Sequence, residues 1–284
     1  MTKDEMLLRL DEWILEQKLQ EYAPNTLKQY KTGVLKFVEW CPDDEEISKE
    51  TMIRYKAYLG EETNSPSSLN NWIVSINKYL KWLDQRELTV KKIKSQFKQS
   101  NEDVLSISDY KRLLRFAKQY GKHQLYLIMK ILAMTGIRVS ELKAFTVEKL
   151  DTNYITVYNK GKARKVIVRQ DLLREIKHYC KDHHIKQGYV FNSSVIPDQM
   201  VCQSTIWRQM QEIAGYAKVK KTKVHAHSFR HLFAQIYLEA YPDNVTELAD
   251  ILGHSSLETT RLYTRTSDKQ KKVKLERLDF TREA

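Results

Sequence analysis

The chain has 284 residues, 42% of them hydrophobic, enough for one large or two medium domains with a buried core. A net charge of +12 points to a polyanionic partner, nucleic acid first. The 8 glycines and 5 prolines argue against an all-β design with many tight turns, and no apolar run approaches the ~20 residues that cross a bilayer. Cys41, Cys180 and Cys202 are widely spaced with no CxxC, which argues against a zinc ribbon or a disulfide framework and fits a reducing, cytoplasmic setting. The opening "MTKDEMLLRLDEW" mixes charge into its first turns, unlike a secretory signal.

Residues 5–20 place Leu7, Leu10 and Ile14 at helical spacing. In "APNTLKQYKTGVLKFVEW", Asn25 is a candidate N-cap, and Leu27, Tyr30, Val34 and Phe37 form the next stripe. A shorter helix is expected near 48–59. In "SPSSLNNWIVSINKYLKWL", Ser65 or Ser67 caps a helix whose Leu69, Ile73, Ile76, Leu80 and Leu83 face one way. Residues 1–90 therefore read as a compact four-helix unit. The basic, weakly periodic stretch 91–103 reads as a linker, suited to lying along a polyanion.

A second unit is expected over 104–284. Ser108 is its first candidate cap, ahead of Leu113, Leu114 and Ala117. Leu125, Ile128 and Leu132 follow on a helix that Gly136 closes. "NYITVYNKGKARKVIVR" has two strand-like runs flanking Asn159–Lys162, the pattern of a β-hairpin. Helical patterns return from 171 and dominate to the end, with an apolar stripe of Val273, Leu275 and Leu278 in the charged tail. The expected fold is mainly α with one small β-hairpin.

Four places hold polar residues that a plain helical core does not need. Arg138 and Glu141 follow a helix end in "MTGIRVSEL"; Lys160 and Lys162 sit at the hairpin tip; "HAHSFRH" packs His225, His227, Arg230 and His231 together; "GHSSLETTRLY" carries His254 and Tyr263. Each also has a plain reading: a surface ion pair for Arg138, a solvated turn for Lys160, a core aromatic for Tyr263. The i, i+4 spacing of His227 and His231 suits zinc, but no Glu lies between them and no third ligand is evident.

Taken in order, "TGIRVSEL", "KGKAR", "HSFRH" and "LGHSSLETTRLYT" resemble the tyrosine recombinases, the phage-integrase family. The resemblance covers about 104–275, and the helical first unit is similar to the family's core-binding domain. By matching position, the resemblance implies catalytic roles for Arg138, Lys160, His227, Arg230, His254 and Tyr263. Glu141 and His231 match supporting positions. Lys162 is the nearest competitor to Lys160.

The implied chemistry suits these residue types. Two arginines hold the non-bridging oxygens of a phosphodiester in bidentate fashion and neutralise the charge gained in the pentavalent transition state. Tyr263 is the implied nucleophile, with His227 as candidate base and His254 bonded to a non-bridging oxygen. Lys160 is the implied proton donor to the 5′-hydroxyl leaving group. No cofactor, metal or ATP is implied. The expected partner is double-stranded DNA at a core recombination site, gripped in a C-shaped clamp. The protein is expected to be a monomer or weak dimer when free and a homotetramer on a synapse of two sites, acting through a Holliday junction. No membrane association is expected. The chain lacks the extra N-terminal domain of large phage integrases, which favours an Xer-like recombinase or a transposon-encoded cointegrate resolvase. The alternatives are a small integrase, a catalytically silent DNA-binding regulator, and a metal-dependent nuclease built on His225, His227 and His231.

Overall fold

The computed structural model describes residues 1–43, 45–62, 66–93, 104–159, 162–196 and 198–253, together with Thr260 and Glu276. The chain divides into two compact units, Met1–Lys98 and Gln99–Ala284. No helix among the described residues is long and apolar enough to cross a membrane.

The first unit is built from α1 (Lys3–Leu19), α2 (Pro24–Trp40), α3 (Lys49–Glu62) and α4 (Pro66–Trp82). A capping box starts α1: Glu5 N donates to Thr2 Oγ1 at 3.3 Å, and Thr2 N donates to the Glu5 carboxylate at 2.8 Å. The buried face of α1 is Met6, Leu10, Trp13 and Gln17. Leu7, expected inward, is 41% exposed. Trp13 decides the phase, because its indole packs on Tyr30 and Tyr79, with centroids 5.6 and 4.8 Å away. Asn25 is not a cap. Ala23 occupies that position and Pro24 opens the helix, its ring fixing φ where an N–H has no partner to lose. On α4, Leu69, Ile73, Ile76 and Leu80 are buried as their spacing predicts. Ser65 and the side chain of Ser67, its candidate caps, lie outside the described residues.

The chain leaving α4 remains attached to it. Asn77 accepts from Val90 N at 3.0 Å and donates to Val90 O at 2.7 Å. Asn70, two turns earlier, does the same for Ile93 at 2.8 and 2.9 Å. These two amides satisfy an extended backbone that pairs with no strand among the described residues. The stretch expected to be a linker is therefore anchored as far as Ile93; its residues 94–103 lie outside the described ones.

The second unit contains α5 (Ile107–Gln119), α6 (His123–Thr135), β1 (Tyr154–Asn159), β2 (Lys162–Ile167), α7 (Gln170–Asp182), α8 (Gln203–Tyr216), α9 (Ala226–Ala240) and α10 (Val245–Leu252). Ser106, not Ser108, caps α5: its hydroxyl accepts from Asp109 N at 3.1 Å, and its own N–H donates to the Asp109 carboxylate at 3.4 Å. The acidic residue three positions on makes the earlier serine the better cap. α6 is apolar nearly all round because it is the central helix, packed against α5, α7, α8 and α9. It ends at Gly136, which adopts φ +65°.

The two strands form an antiparallel hairpin with Asn159 paired to Lys162 at its tip. Ile155, Val157, Val166 and Val168 face the core, while Tyr158 and Ile167 face out. The expectation of helix from 171 onward fails between 183 and 202. That stretch is irregular, held by isolated bridges Thr146 to Tyr189 and Asn192 to Met200. Beyond Gly253 the described residues are Thr260 and Glu276, both helical; the tail stripe of Val273, Leu275 and Leu278 lies outside them.

Candidate active site

Several element ends meet in the second unit: the C-termini of α6 and α10, the N-terminus of α9, the inner face of the hairpin, and the 3-10 helix Val139–Ala144. Arg230 stands at the centre. It lies on α9, one turn in from the cap, and is 0% exposed. Nη1 donates to Gly136 O and Nη2 to Leu252 O, each at 2.7 Å. Both acceptors lie at helix C-termini, where carbonyls lack intrahelical partners and the helix dipole is negative. A buried cation is thus matched to two negative helix ends. Close packing at Gly136 permits the approach, since a Cβ there would fall 2.6 Å from Phe233 and 2.7 Å from Leu252.

Arg138 begins the 3-10 helix two residues beyond Gly136. Its backbone N–H donates to Glu141 Oε2 at 2.8 Å and its Nη1 to Oε1 at 3.2 Å. The Glu141 side chain is 1% exposed and that of Arg138 29%, so the pair has a buried anion and a half-open cation. Glu141 Oε2 also accepts from Arg164 Nη2 at 2.7 Å. Arg164 Nη1 reaches across to Ile251 O at 3.0 Å. Burial pulls the Arg164 pKa below its ordinary value and Arg138 adds to this, while Glu141 opposes it. The guanidinium stays charged throughout.

The histidines surround this cluster. His225 caps α9, its Nδ1 accepting from Ser228 N at 3.2 Å. His227 sits in the first turn and keeps part of its surface open to solvent. Crowding by protein lowers its pKa below the ordinary 6.5, and the positive charge of Arg230, with His225 and Arg138, lowers it further. Both effects favour the neutral ring, the form able to accept a proton. It stands edge-on to His231, with centroids 4.8 Å apart and planes at 86°. Among the described residues no three His, Cys, Asp or Glu side chains are grouped as metal ligands.

Of the residues singled out from sequence, Arg138, Glu141, His227, Arg230 and His231 are brought to this one region. Lys160, His254 and Tyr263, and the side chain of Lys162, lie outside the described residues. The backbone leads toward them: the hairpin pairing ends on either side of Lys160–Gly161, Gly253 precedes His254, and Thr260, three residues before Tyr263, is helical and fully buried. Two of the Arg230 donors are committed to backbone carbonyls in this structure. Arg164 was not anticipated. The signal for it is phase: it stands opposite Val157, on the same face as Val166 and Val168, where strand alternation calls for an apolar residue.

The family model described as phage integrase family matches residues 103–270, more than half of the chain. The chain belongs to the phage integrase family. It is accordingly a tyrosine recombinase, an enzyme of DNA strand exchange. Tyrosine recombinase XerA of Pyrococcus furiosus is 28% identical over 276 residues, covering 95% of this chain and 94% of XerA. The TnP I resolvase of Bacillus thuringiensis is 26% identical, covering 92% and 96%. A crystal structure of XerA recombinase aligns with 98% of the chain and all of that structure at 26% identity and TM-score 0.53. A lambda integrase dimer bound to a COC′ core site reaches TM-score 0.74 over 93% of this chain and 77% of that one at 15% identity, a likeness of fold.

Proposed function

We propose that this tyrosine recombinase cleaves and rejoins double-stranded DNA at a specific core site through a 3′-phosphotyrosyl link to Tyr263. The observation that carries the reading is the arginine cluster. A wholly buried Arg230 and a half-open Arg138 lie beside His227, whose pKa burial and the Arg230 charge lower, all within the family's matched region. Burying a guanidinium costs several kcal/mol, and a fixed positive charge is what a phosphorane transition state requires.

In the proposed step, Tyr263 Oη attacks phosphorus. A new P–O bond forms and the P–O5′ bond breaks. The phenol proton passes to His227, and Lys160 gives a proton to the departing O5′. Ionising a free tyrosine at pH 7 costs roughly 4 kcal/mol, which the base and the cationic field offset. Arg138 and Arg230 absorb the charge on the non-bridging oxygens, and His254 hydrogen-bonds one of them. Glu141 and His231 hold Arg138 and His227 in place. The step conserves bond energy, so a 5′-hydroxyl from a second strand reverses it with no ATP.

Two rounds of such exchange in a homotetramer, with a Holliday junction between them, recombine two sites. Each protomer would be monomeric or weakly dimeric when free. The proposed role is resolving replicon dimers or transposon cointegrates in the cytoplasm, and similarity along nearly the whole chain to a protein named TnP I resolvase supports the resolvase part of it. The test is a nicked duplex carrying the core site, selected from a random pool, incubated with protein and EDTA. A denaturation-resistant adduct is expected from the wild type and none from Tyr263→Phe. Binding without an adduct would mark a silent DNA-binding protein, and cleavage lost in EDTA a metal-dependent nuclease.

A further inference from the structure

Arg164 stands on the inner face of β2, two residues from the Asn159–Lys162 pair that closes the hairpin tip. Its side chain ties together elements distant in sequence. One nitrogen meets Glu141, which also holds Arg138, and another meets Ile251 O at the end of α10. The stem lies against bare backbone: a Cβ at Gly253, which has φ +64°, would fall 2.6 Å from Arg164 Cδ and 2.7 Å from Nε. A lysine reaches one such acceptor at a time; only a forked guanidinium holds both in a fixed plane. Gly253 therefore serves the approach of that fork as well as the helix end.

We infer that Arg164 is a positioning residue that pins the hairpin, and with it the proton-donating Lys160, to the Arg138–Glu141 pair and the end of α10. This rests on the reading of Lys160 as donor to the leaving oxygen. Without the fork, the strand keeps its pairing but β2 is no longer tied to the Arg138–Glu141 pair and the end of α10. Protonation of O5′ is then the step that fails. Attack by Tyr263 and charge neutralisation by Arg138 and Arg230 persist.

The test compares two nicked substrates that differ at the scissile bridging atom, O5′ or S5′. In the sulfur substrate the Tyr263 Oη–P bond forms as the P–S5′ bond breaks, and sulfur leaves with the electron pair as a thiolate. A thiol has a pKa of ~8.5, so its anion departs without a proton. In single-turnover cleavage, Arg164→Lys and Arg164→Ala are expected to fall at least ~30-fold on the oxygen substrate, a partial loss of a general-acid effect of ~10²–10⁴, and to stay within ~3-fold of wild type on sulfur. Arg164→Lys retains charge and stem packing and decides the matter if Arg164→Ala does not fold. Equal losses on both substrates, or no loss on oxygen, overturn the inference. Lys160→Ala serves as the reference: if sulfur does not rescue it, the donor assignment is wrong and the positioning role falls with it. If wild type itself forms no adduct on either substrate, the recombinase reading is what has failed.

Discussion

Arg230 joins structure and chemistry at a single side chain. With no exposure and two carbonyl acceptors, it stabilises the meeting of α6, α9 and α10 as well as offering charge to phosphate. Arg230→Ala therefore has two expected effects. It leaves two buried acceptors without donors and lowers unfolding free energy by about 2–4 kcal/mol in urea titration. Strand cleavage falls at least ~100-fold while DNA affinity changes by less than ~10-fold; equal loss of affinity and rate would make it a binding residue. His227 gives a pH prediction. Its folded pKa lies below the ordinary 6.5, so the unfolded chain takes up the proton first as pH falls. The stability gained by keeping the ring neutral is complete above about 6.5 and is lost as pH drops from there toward the folded value. An NMR titration of the free protein, assigned with His227→Gln, should place the midpoint under 6.5; a midpoint at or above it contradicts the assignment of a neutral base. Arg138, His227 and Arg230 were legible in the sequence because each stands in a short ordered motif. Arg164 was hidden among Lys160, Lys162 and Lys165, and only the strand's phase separates it from solvated neighbours. That two Arg230 donors would go to backbone was not legible, since it depends on helix ends 94 and 22 residues away.

Helices and hairpin emerged from periodicity with few errors of substance, and the errors share a cause. On α1 Leu7, Leu10 and Ile14 suggested a face, but a tryptophan and its aromatic neighbours set the real one a single residue away. At α2 and α5 the caps were misplaced by a proline that needs no cap and by a serine whose acidic partner lies three positions on. The irregular stretch 183–202 carries no period at all, and its bridges to Thr146 and within itself are set by tertiary packing. The α6 terminus yields the sharpest element-scale prediction. Gly136→Ala demands a left-handed alanine and places a methyl against Phe233 and Leu252. Strain and overpacking together should destabilise the protein by about 2–4 kcal/mol and displace the carbonyl that Arg230 holds. A denaturation midpoint unchanged from wild type would show that the α6–α9–α10 junction is looser than these distances imply.

At the scale of the molecule, the excess of 12 positive charges, the match of residues 103–270 to the phage integrase family and the arginine cluster agree on one activity. The central claim is that phosphate is transferred to one phenol in a field of guanidinium charge, and it can be tested by locating the bond itself. Trypsin cutting after Arg261 and Arg265 releases a peptide of Leu262, Tyr263, Thr264 and Arg265 from the trapped complex. Mass spectrometry of that digest, prepared in EDTA, is expected to find the nucleotide on Tyr263, linked through its 3′-phosphate. A nucleotide on any other residue, or cleaved DNA with no nucleotide on protein, would contradict the account.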